Sequence, residues 1–205
     1  MNRPVSLSRR QLLVDALAGA GAATLLPFAN AFAGNGFPNA VKSAPPTHAK
    51  PPTGNVRDFD FFVGKWNSVN RRLKQRWVGS DDWDVFPNTV DCRSHMGGVV
   101  NIDEIVFPTK GWEGMTVRTF NIEKKQWSLY WINSKTGELF PPVVGGFNGD
   151  DGEFYGDDTD EGKPIKVVFK WTKLGPGKAR WQQAFSLDGK NWETNWVVDH
   201  TRIDV

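Results

Sequence analysis

The residues of this sequence best suited to chemistry are polar side chains that interrupt the apolar faces of predicted β-strands. Because alternate residues of a strand point to the same side, Gln183 shares a face with Trp181 and Phe185. Inside a barrel, such a side chain needs a ligand or a buried polar partner. The same reasoning selects the candidate ligand-binding residues Arg72, Glu104, Arg118, Gln183, Glu193 and Asn195.

Strand parity sets the expected direction of each candidate. Glu104 lies between Ile102 and Val106, so we expect it to face the interior with them. Glu193 and Asn195 share one face of their strand, and the pattern leaves open whether that face or the opposite one lines the core. A mixed set of Arg, Glu, Gln and Asn suits a ligand with a carboxylate or carbonyl and an apolar body. The alternative is a structural network in which arginine and glutamate neutralise each other.

Metal and nucleophile chemistry are not indicated by the spacing of the relevant residues. His48, His95 and His200 are scattered, and the sequence contains no Cys-x-x-Cys or His-Glu-x-x-His pattern. The acidic run 157–162 is predicted to be a solvated hairpin loop. Cys92 is the only cysteine, which excludes an intramolecular disulfide, and we expect it to be a small buried apolar residue. We therefore predict no metal and no cofactor.

The elements that must position these residues are β-strands, since residues 165–172 and other segments alternate with a period of two. Turn signals such as Asp188-Gly189 separate consecutive strands in hairpin fashion. The sequence predicts an all-β fold, an antiparallel up-and-down meander of nine or ten strands that either forms a sandwich or closes into a barrel, and closure would remove the exposed edges. The predicted strands lie near residues 61–76, 83–92, 98–107, 114–121, 126–132, 142–147, 153–156, 164–173, 178–187 and 191–203.

Residues 1–33 have the features of a twin-arginine signal peptide. Arg9 and Arg10 precede an apolar run, and Ala31 and Ala33 form a small-x-small cleavage site. The apolar run is shorter than the ~20 residues that a membrane span needs, so we expect no stable membrane anchor. The protein is therefore predicted to fold before the twin-arginine translocase exports it, and to work in the periplasm or outside the cell.

The composition of the remaining chain separates a tether from a domain. Residues 34–57 are rich in Pro, Gly and Ala and are predicted to be a disordered or extended tether, followed by a barrel domain at 58–205. The whole chain has 25 Lys and Arg against 23 Asp and Glu, and removal of the leader leaves 22 of each. A neutral mature chain has no global field to attract nucleic acid, so we expect no nucleic-acid partner.

Three residues at the two ends of the predicted meander resemble the closure of the lipocalins and other calycin barrels, and this resemblance favours a closed barrel over a sandwich. Gly64 and Trp66 begin the first predicted strand as Gly-Lys-Trp, and Arg202 lies near the end of the last strand. The resemblance implies that the arginine packs across the tryptophan and closes the base of the barrel. A cation on an indole ring contributes roughly 0.5–2 kcal/mol. Some calycin relatives hold haem through a histidine of a late strand, so the resemblance leaves a haem held by His200 as an alternative.

A second resemblance covers most of the predicted domain. Several segments look like an uncharacterised bacterial family with a lipocalin-like barrel, and it implies the fold without implying an activity. The matching segments are residues 58–66 (DFDFFVGKW), 71–73, 97–104, 127–131, 141–145, 154–159, 180–186 and 192–196.

These observations predict an exported barrel that binds a small, partly apolar molecule in an internal cavity. All ten tryptophans lie between Trp66 and Trp196, which is typical of an aromatic core or an aromatic-lined cavity. One alternative is an enzyme that uses Glu104 or Glu193 beside an arginine as an acid–base pair. Another is a non-catalytic interaction or dimerisation module, and a homodimer stays open at this point.

Overall fold

Ten antiparallel β-strands run up and down and close into a barrel in the computed structural model, which describes residues 51–203. This confirms the predicted fold class. The leader at 1–33 and the tether up to residue 50 lie outside the described residues. The strands are β1 (Gly64–Leu73), β2 (Trp83–His95), β3 (Val100–Phe107), β4 (Trp112–Asn121), β5 (Gln126–Asn133), β6 (Val143–Asn148), β7 (Asp151–Asp160), β8 (Lys163–Lys173), β9 (Lys178–Ser186) and β10 (Glu193–Arg202).

Each strand pairs with its neighbours in sequence, and the first and last strands pair with each other to close the sheet. The closing seam runs from Trp66 opposite Arg202 to Arg72 opposite Trp196. Because every strand has a neighbour on both sides, the sheet has no free edge to pair with another chain. Two single turns of 3₁₀ helix, Asp60–Phe62 and Met96–Gly98, accompany the strands, and no helix in residues 51–203 is long and apolar enough to cross a membrane.

The pairing around the barrel is uneven. β7 and β8 pair over ten residues, whereas β5 and β6 pair over three, from Trp127 with Gly145 to Leu129 with Val143. Beyond this short seam the segment 134–142 covers the wall. Its backbone is fixed there by a hydrogen bond of 3.0 Å from the Phe140 amide to the Trp131 carbonyl.

Aromatic side chains fill the interior because alternate residues of the strands are large and apolar. Phe59 lies at the centre of one cluster, with its ring 5.0 Å from that of Trp127 and 5.2 Å from that of Phe147, both edge-on. A second cluster towards the other end contains Phe107 stacked on Trp112 at 4.1 Å. The space between the clusters is where the polar side chains described below lie.

The last seven residues of the predicted tether, 51–57, pack on the barrel. The Gly54 amide donates to the Lys125 carbonyl at 2.7 Å, and the Trp127 indole N–H donates to the Asn55 carbonyl at 3.0 Å. Composition alone missed this because Pro and Gly indicate little burial of their own. The buried indole of Trp127 needs an acceptor, and this segment supplies it.

Candidate functional site

One end of the barrel is closed by Arg202. Its guanidinium carbon lies 4.3 Å from the centre of the Trp66 ring, and its Nη1 donates to the Val63 carbonyl at 2.6 Å while Nη2 donates to the Phe61 carbonyl. Gly64 has a φ of +121°, and a Cβ there would lie 2.5 Å from Arg202 Nη1. The sequence therefore has the glycine, the tryptophan and the arginine that this closure needs.

Above this closure the barrel contains an internal cavity of about 80 Å³. One water needs roughly 10–15 Å³ on this scale and about 30 Å³ in the liquid, so the cavity has room for roughly five to eight waters or a molecule with a single ring. Polar side chains are set into a mainly aromatic wall, which includes Phe62, Phe107, Trp131, Trp171, Trp181 and Trp196.

Arg118 and Asp103 form a buried ion pair in the cavity wall, with 2% and 1% of their surfaces exposed. Arg118 donates through Nη2 to Asp103 and through Nη1 to Asn101 Oδ1 at 2.8 Å. The other Asp103 oxygen accepts from the Thr116 amide at 3.0 Å. The pair is therefore electrically neutral as a unit, and the sequence reasoning identified its cation but missed its anion.

Gln183 and Asn195 are joined by a hydrogen bond of 2.7 Å from Gln183 Nε2 to Asn195 Oδ1, and Gln183 lines the cavity. The register between β9 and β10 shifts between Thr194 and Trp196. This bulge leaves Asn195 unpaired in the ladder and buried against Gln183, while Trp196 lines the cavity next to it. Strict alternation would place the adjacent residues Asn195 and Trp196 on opposite faces. It fails here because a bulge breaks the period of two.

The expectation that Glu104 faces the interior is wrong. Glu104 is exposed on the outer face of β3, and Val106 beside it is 41% exposed. The inward residues of this strand are Asn101, Asp103 and Ile105. The apolar residues Ile102 and Val106 lie on the outer face of β3, and their alternation with polar residues is the pattern typical of a core-facing side.

Arg72 lies on the inward face of β1, towards the end opposite the closure. Its guanidinium carbon is 5.4 Å from the centre of the Trp196 ring and 5.9 Å from that of Phe86. Burial lowers the pKa of Arg72 to about 10, against the opposite influence of the Asp84 carboxylate. Arg72 therefore contacts the aromatic cluster above the cavity and is not part of the cavity wall itself.

Glu193 holds the loop between β1 and β2 rather than facing the cavity. Its Oε2 accepts from the Trp77 amide at 2.9 Å, at a point where Trp77 has a φ of +67°. Burial raises the pKa of Glu193 above its usual value. This carboxylate and Asp160 together fix the loop across the barrel end.

Asp160 corrects the prediction of a solvated acidic loop at 157–162. β7 continues through Asp160, which is fully buried and accepts two hydrogen bonds from Arg76, at 2.9 and 2.8 Å. The Trp77 indole N–H donates to the same carboxylate at 2.9 Å. The turn itself is only Glu161 and Gly162. The acidic run predicts a solvated loop when it is considered by itself. Its partner Arg76 is 84 residues away in sequence, so the local pattern does not show the pairing.

His200 lines the cavity and is buried among aromatic rings. Its Nδ1 lies 2.7 Å from Ser68 Oγ, and its ring stacks on Trp171 at 5.3 Å with an interplanar angle of 13°. Burial lowers the pKa of His200 to about 3, helped by the positive charge of Arg118. These residues do not fit a haem, because a cavity of about 80 Å³ is far too small for the macrocycle.

The buried imidazole should make the fold sensitive to mild acid. His200 must stay neutral in the folded protein, whereas it titrates near 6.5 when unfolded, so stability is lost as pH falls from about 6.5 towards 3. One proton taken up by the unfolded state costs about 1.4 kcal/mol per pH unit. We expect the free energy of unfolding, measured by urea denaturation, to be about 2 kcal/mol lower at pH 5 than at pH 7.

The control for this prediction is a second histidine. His95 is exposed at the end of β2, so His95→Gln should leave the difference between pH 5 and pH 7 unchanged. His200→Gln should abolish most of it, whatever its effect on stability at pH 7. An unchanged difference in His200→Gln would show that other groups cause the acid sensitivity.

Within residues 51–203, neither the thiol of Cys92 nor a cluster of acidic side chains forms a further reactive centre. Cys92 is buried, its Sγ donates to Asn101 Oδ1 at 3.4 Å, and burial raises the pKa of the thiol to about 12. It is therefore an unreactive thiol at neutral pH. No group of three or more His, Cys, Asp or Glu residues in that range could hold a metal ion.

Fold and site together define a closed ten-stranded antiparallel β-barrel with a small, mainly aromatic cavity. No protein-family model matches the sequence, and no curated protein matches it. Among solved structures, a redesigned β-barrel is similar over 74% of this chain and 100% of its own, with 10% identity and a TM-score of 0.41. A DUF3598-family protein of unknown function from Nostoc punctiforme is similar over 75% of this chain, with 8% identity and a TM-score of 0.43. This chain spans about half of that protein's length, 51%.

Proposed function

We propose that this protein is an exported, lipocalin-like barrel that binds a small, partly apolar molecule in its internal cavity. The observation that carries the proposal is a cavity of about 80 Å³ whose mainly aromatic wall contains buried polar side chains such as Gln183 and Arg118. Ligand sites in proteins are typically concave and apolar with a few placed polar groups. The size of the cavity limits the ligand to about one ring.

The acid–base enzyme is the weaker alternative because its candidate carboxylates are not in the cavity. Glu104 is exposed on the outer face, and Glu193 accepts a hydrogen bond from the loop amide of Trp77. Within the cavity, Asp103 is paired with Arg118, and the low pKa of His200 makes it a poor base at neutral pH.

The interaction module is also less well supported. That reading needs tryptophans on the surface to face a partner, and none of the ten is exposed in the structure. Exposed apolar side chains are scattered: Val78, Ile122 and Leu174 lie on separate loops, while Val85 and Val106 lie on two different strands. Scattered residues of this kind are normal for a folded surface.

Export by the twin-arginine route belongs to the same proposal and rests on the leader sequence alone. Arg9 and Arg10 would direct the folded barrel to the translocase, and cleavage after Ala33 would release it. A barrel that closes without disulfides is compatible with folding before export, since its one cysteine is buried.

The test is native mass spectrometry of the full chain, purified from the periplasm of the cells that express it. We expect a retained small molecule, and we expect Gln183→Met to lose it because Gln183 lines the cavity. Gln182→Met is the matched control, since Gln182 precedes it on the opposite face of β9 and should keep the ligand. Absence of any retained mass, with no change in tryptophan fluorescence on addition of small aromatic compounds, would contradict the proposal.

A further inference from the structure

Several hydrogen-bond donors on residues of the cavity lining are unsatisfied in the part of the chain that the structure describes. Arg118 Nε, Trp131 Nε1 and Trp171 Nε1 are buried N–H groups on cavity-lining residues, and none has a hydrogen-bond partner within residues 51–203. Arg118 and Trp171 are adjacent, with the guanidinium carbon 5.7 Å from the centre of the indole ring. The two side chains that carry these unused N–H groups therefore lie next to each other in the cavity wall.

The oxygens of Asp103 and Asn70, in the same region, are occupied. Both Asp103 oxygens accept hydrogen bonds, from Arg118 and from the Thr116 amide. Asn70 Oδ1 accepts from the Trp196 indole at 3.0 Å, while Asn70 Nδ2 donates to Asn88 Oδ1 at 2.5 Å. Burying an N–H group without an acceptor is unfavourable, so spare donors favour a ligand that brings acceptors.

The charges of the residues that line the cavity favour a neutral ligand over an anionic one. Arg118 and Asp103 are the two charged residues of the cavity lining as far as residues 51–203 go, and they neutralise each other. His200 is neutral at pH 7 because its pKa is lowered to about 3. A carboxylate would have to lose its hydration without meeting a net positive charge, which is costly in a buried site.

We propose that the cavity selects a neutral, single-ring molecule that presents a hydrogen-bond acceptor, such as a carbonyl oxygen, to the N–H groups of Trp171 and Arg118. The aromatic wall contacts the ring, and the spare donors hold the oxygen. His200 Nε2, which also has no partner in the described residues, becomes a further donor when Ser68 donates to Nδ1. This assignment of a ligand class rests on the proposed function of the same cavity.

Three probes of similar size separate these properties: acetophenone has a neutral carbonyl, benzoate has a carboxylate, and ethylbenzene has neither. We expect acetophenone to bind the full-length protein roughly tenfold more tightly than ethylbenzene, since one or two hydrogen bonds differ. We expect benzoate to bind most weakly at pH 7. Isothermal titration gives the affinities, and quenching of tryptophan fluorescence gives a second measurement.

A matched pair of variants locates the acceptor contact. Trp171→Phe keeps an aromatic ring but removes the indole N–H, so it should reduce the preference for acetophenone over ethylbenzene about fivefold. Trp192→Phe removes another buried, unpartnered indole N–H that is not part of the cavity lining and should leave the preference unchanged. The ratio of two affinities in one variant is the readout, so a general loss of stability does not imitate the effect.

The failure of this assignment is distinguishable from failure of the proposed function. Benzoate binding more tightly than acetophenone, or an unchanged acetophenone preference in Trp171→Phe, would overturn the ligand class while leaving a binding cavity. If no probe bound and native mass spectrometry found no retained molecule, binding itself would be overturned. The order acetophenone, ethylbenzene, benzoate, together with its reduction in Trp171→Phe, supports the assignment.

Discussion

Replacement of Arg118 by Met is expected to lower the free energy of unfolding by about 3–5 kcal/mol. The change leaves the Asp103 carboxylate, 1% exposed, without its counter-charge. It also removes the guanidinium from the rings of Phe59, Phe62 and Trp171. A buried charge that has lost its partner costs far more than the pair contributes, because the desolvation penalty is no longer offset. Urea denaturation at pH 7, followed by tryptophan fluorescence, measures the difference.

The control is the removal of both charges. Asp103→Leu combined with Arg118→Met should recover at least half of the lost stability, since no unpaired charge then remains. Lys166→Met offers a second comparison, because the Lys166–Asp157 pair is 57% and 75% exposed and its loss should cost less than about 1 kcal/mol. If the double variant were as unstable as Arg118→Met, shape and packing rather than charge would explain the loss.

Arg202→Ala is expected to destabilise the protein by about 3 kcal/mol. It removes charge-assisted hydrogen bonds to the carbonyls of Phe61 and Val63, and it removes the cation from the face of Trp66. Hydrogen bonds to charged groups contribute about 1.5–3 kcal/mol, and the cation on the ring adds roughly 0.5–2 kcal/mol. The midpoint of urea denaturation should fall accordingly with little change in its slope.

Two variants show whether geometry or charge matters at this end. Arg202→Lys keeps the charge but lacks the planar fork, so it should recover less than half of the loss. Arg180→Ala removes an arginine from the neighbouring strand, where it pairs with Asp199 at 2.6 Å near the surface, and should cost about 1 kcal/mol or less. A loss in Arg180→Ala equal to that in Arg202→Ala would contradict a special role for the closure.

Much of the fold could be predicted because the side chains of a barrel strand alternate between its two faces with a period of two. All ten strands lie close to their predicted positions, since turn residues separate the alternating segments. The largest differences in extent are at β1, which is shorter than predicted, and at β7, where Asp157 to Asp160 continue the strand. Strand formation there depends on pairing with β8, which the local composition does not show.

The cavity could be predicted less completely because it depends on contacts between distant residues. The alternation of side chains along a strand predicts that Arg118 and Gln183 face the interior, and both line the cavity. Glu104 was chosen on the wrong face, whereas Asp103 beside it pairs with Arg118. The polar face shared by Asn101 and Asp103 was a usable signal, since two polar residues on one face indicate a buried network as readily as they indicate solvent.

The seam between β5 and β6 is the part of the closed barrel that we expect to open most easily. Only three residue pairs join β5 to β6, and Tyr130 and Trp131, just beyond that seam, line the cavity. Local opening requires the fewest backbone hydrogen bonds to break where the ladder is shortest. We therefore expect amide hydrogens along this seam to exchange with solvent before those of the ten-residue ladder between β7 and β8. We expect a molecule to reach the interior at this seam, because Arg202 closes the base of the barrel and the loop residue Trp77 is bonded to Asp160 at the other end.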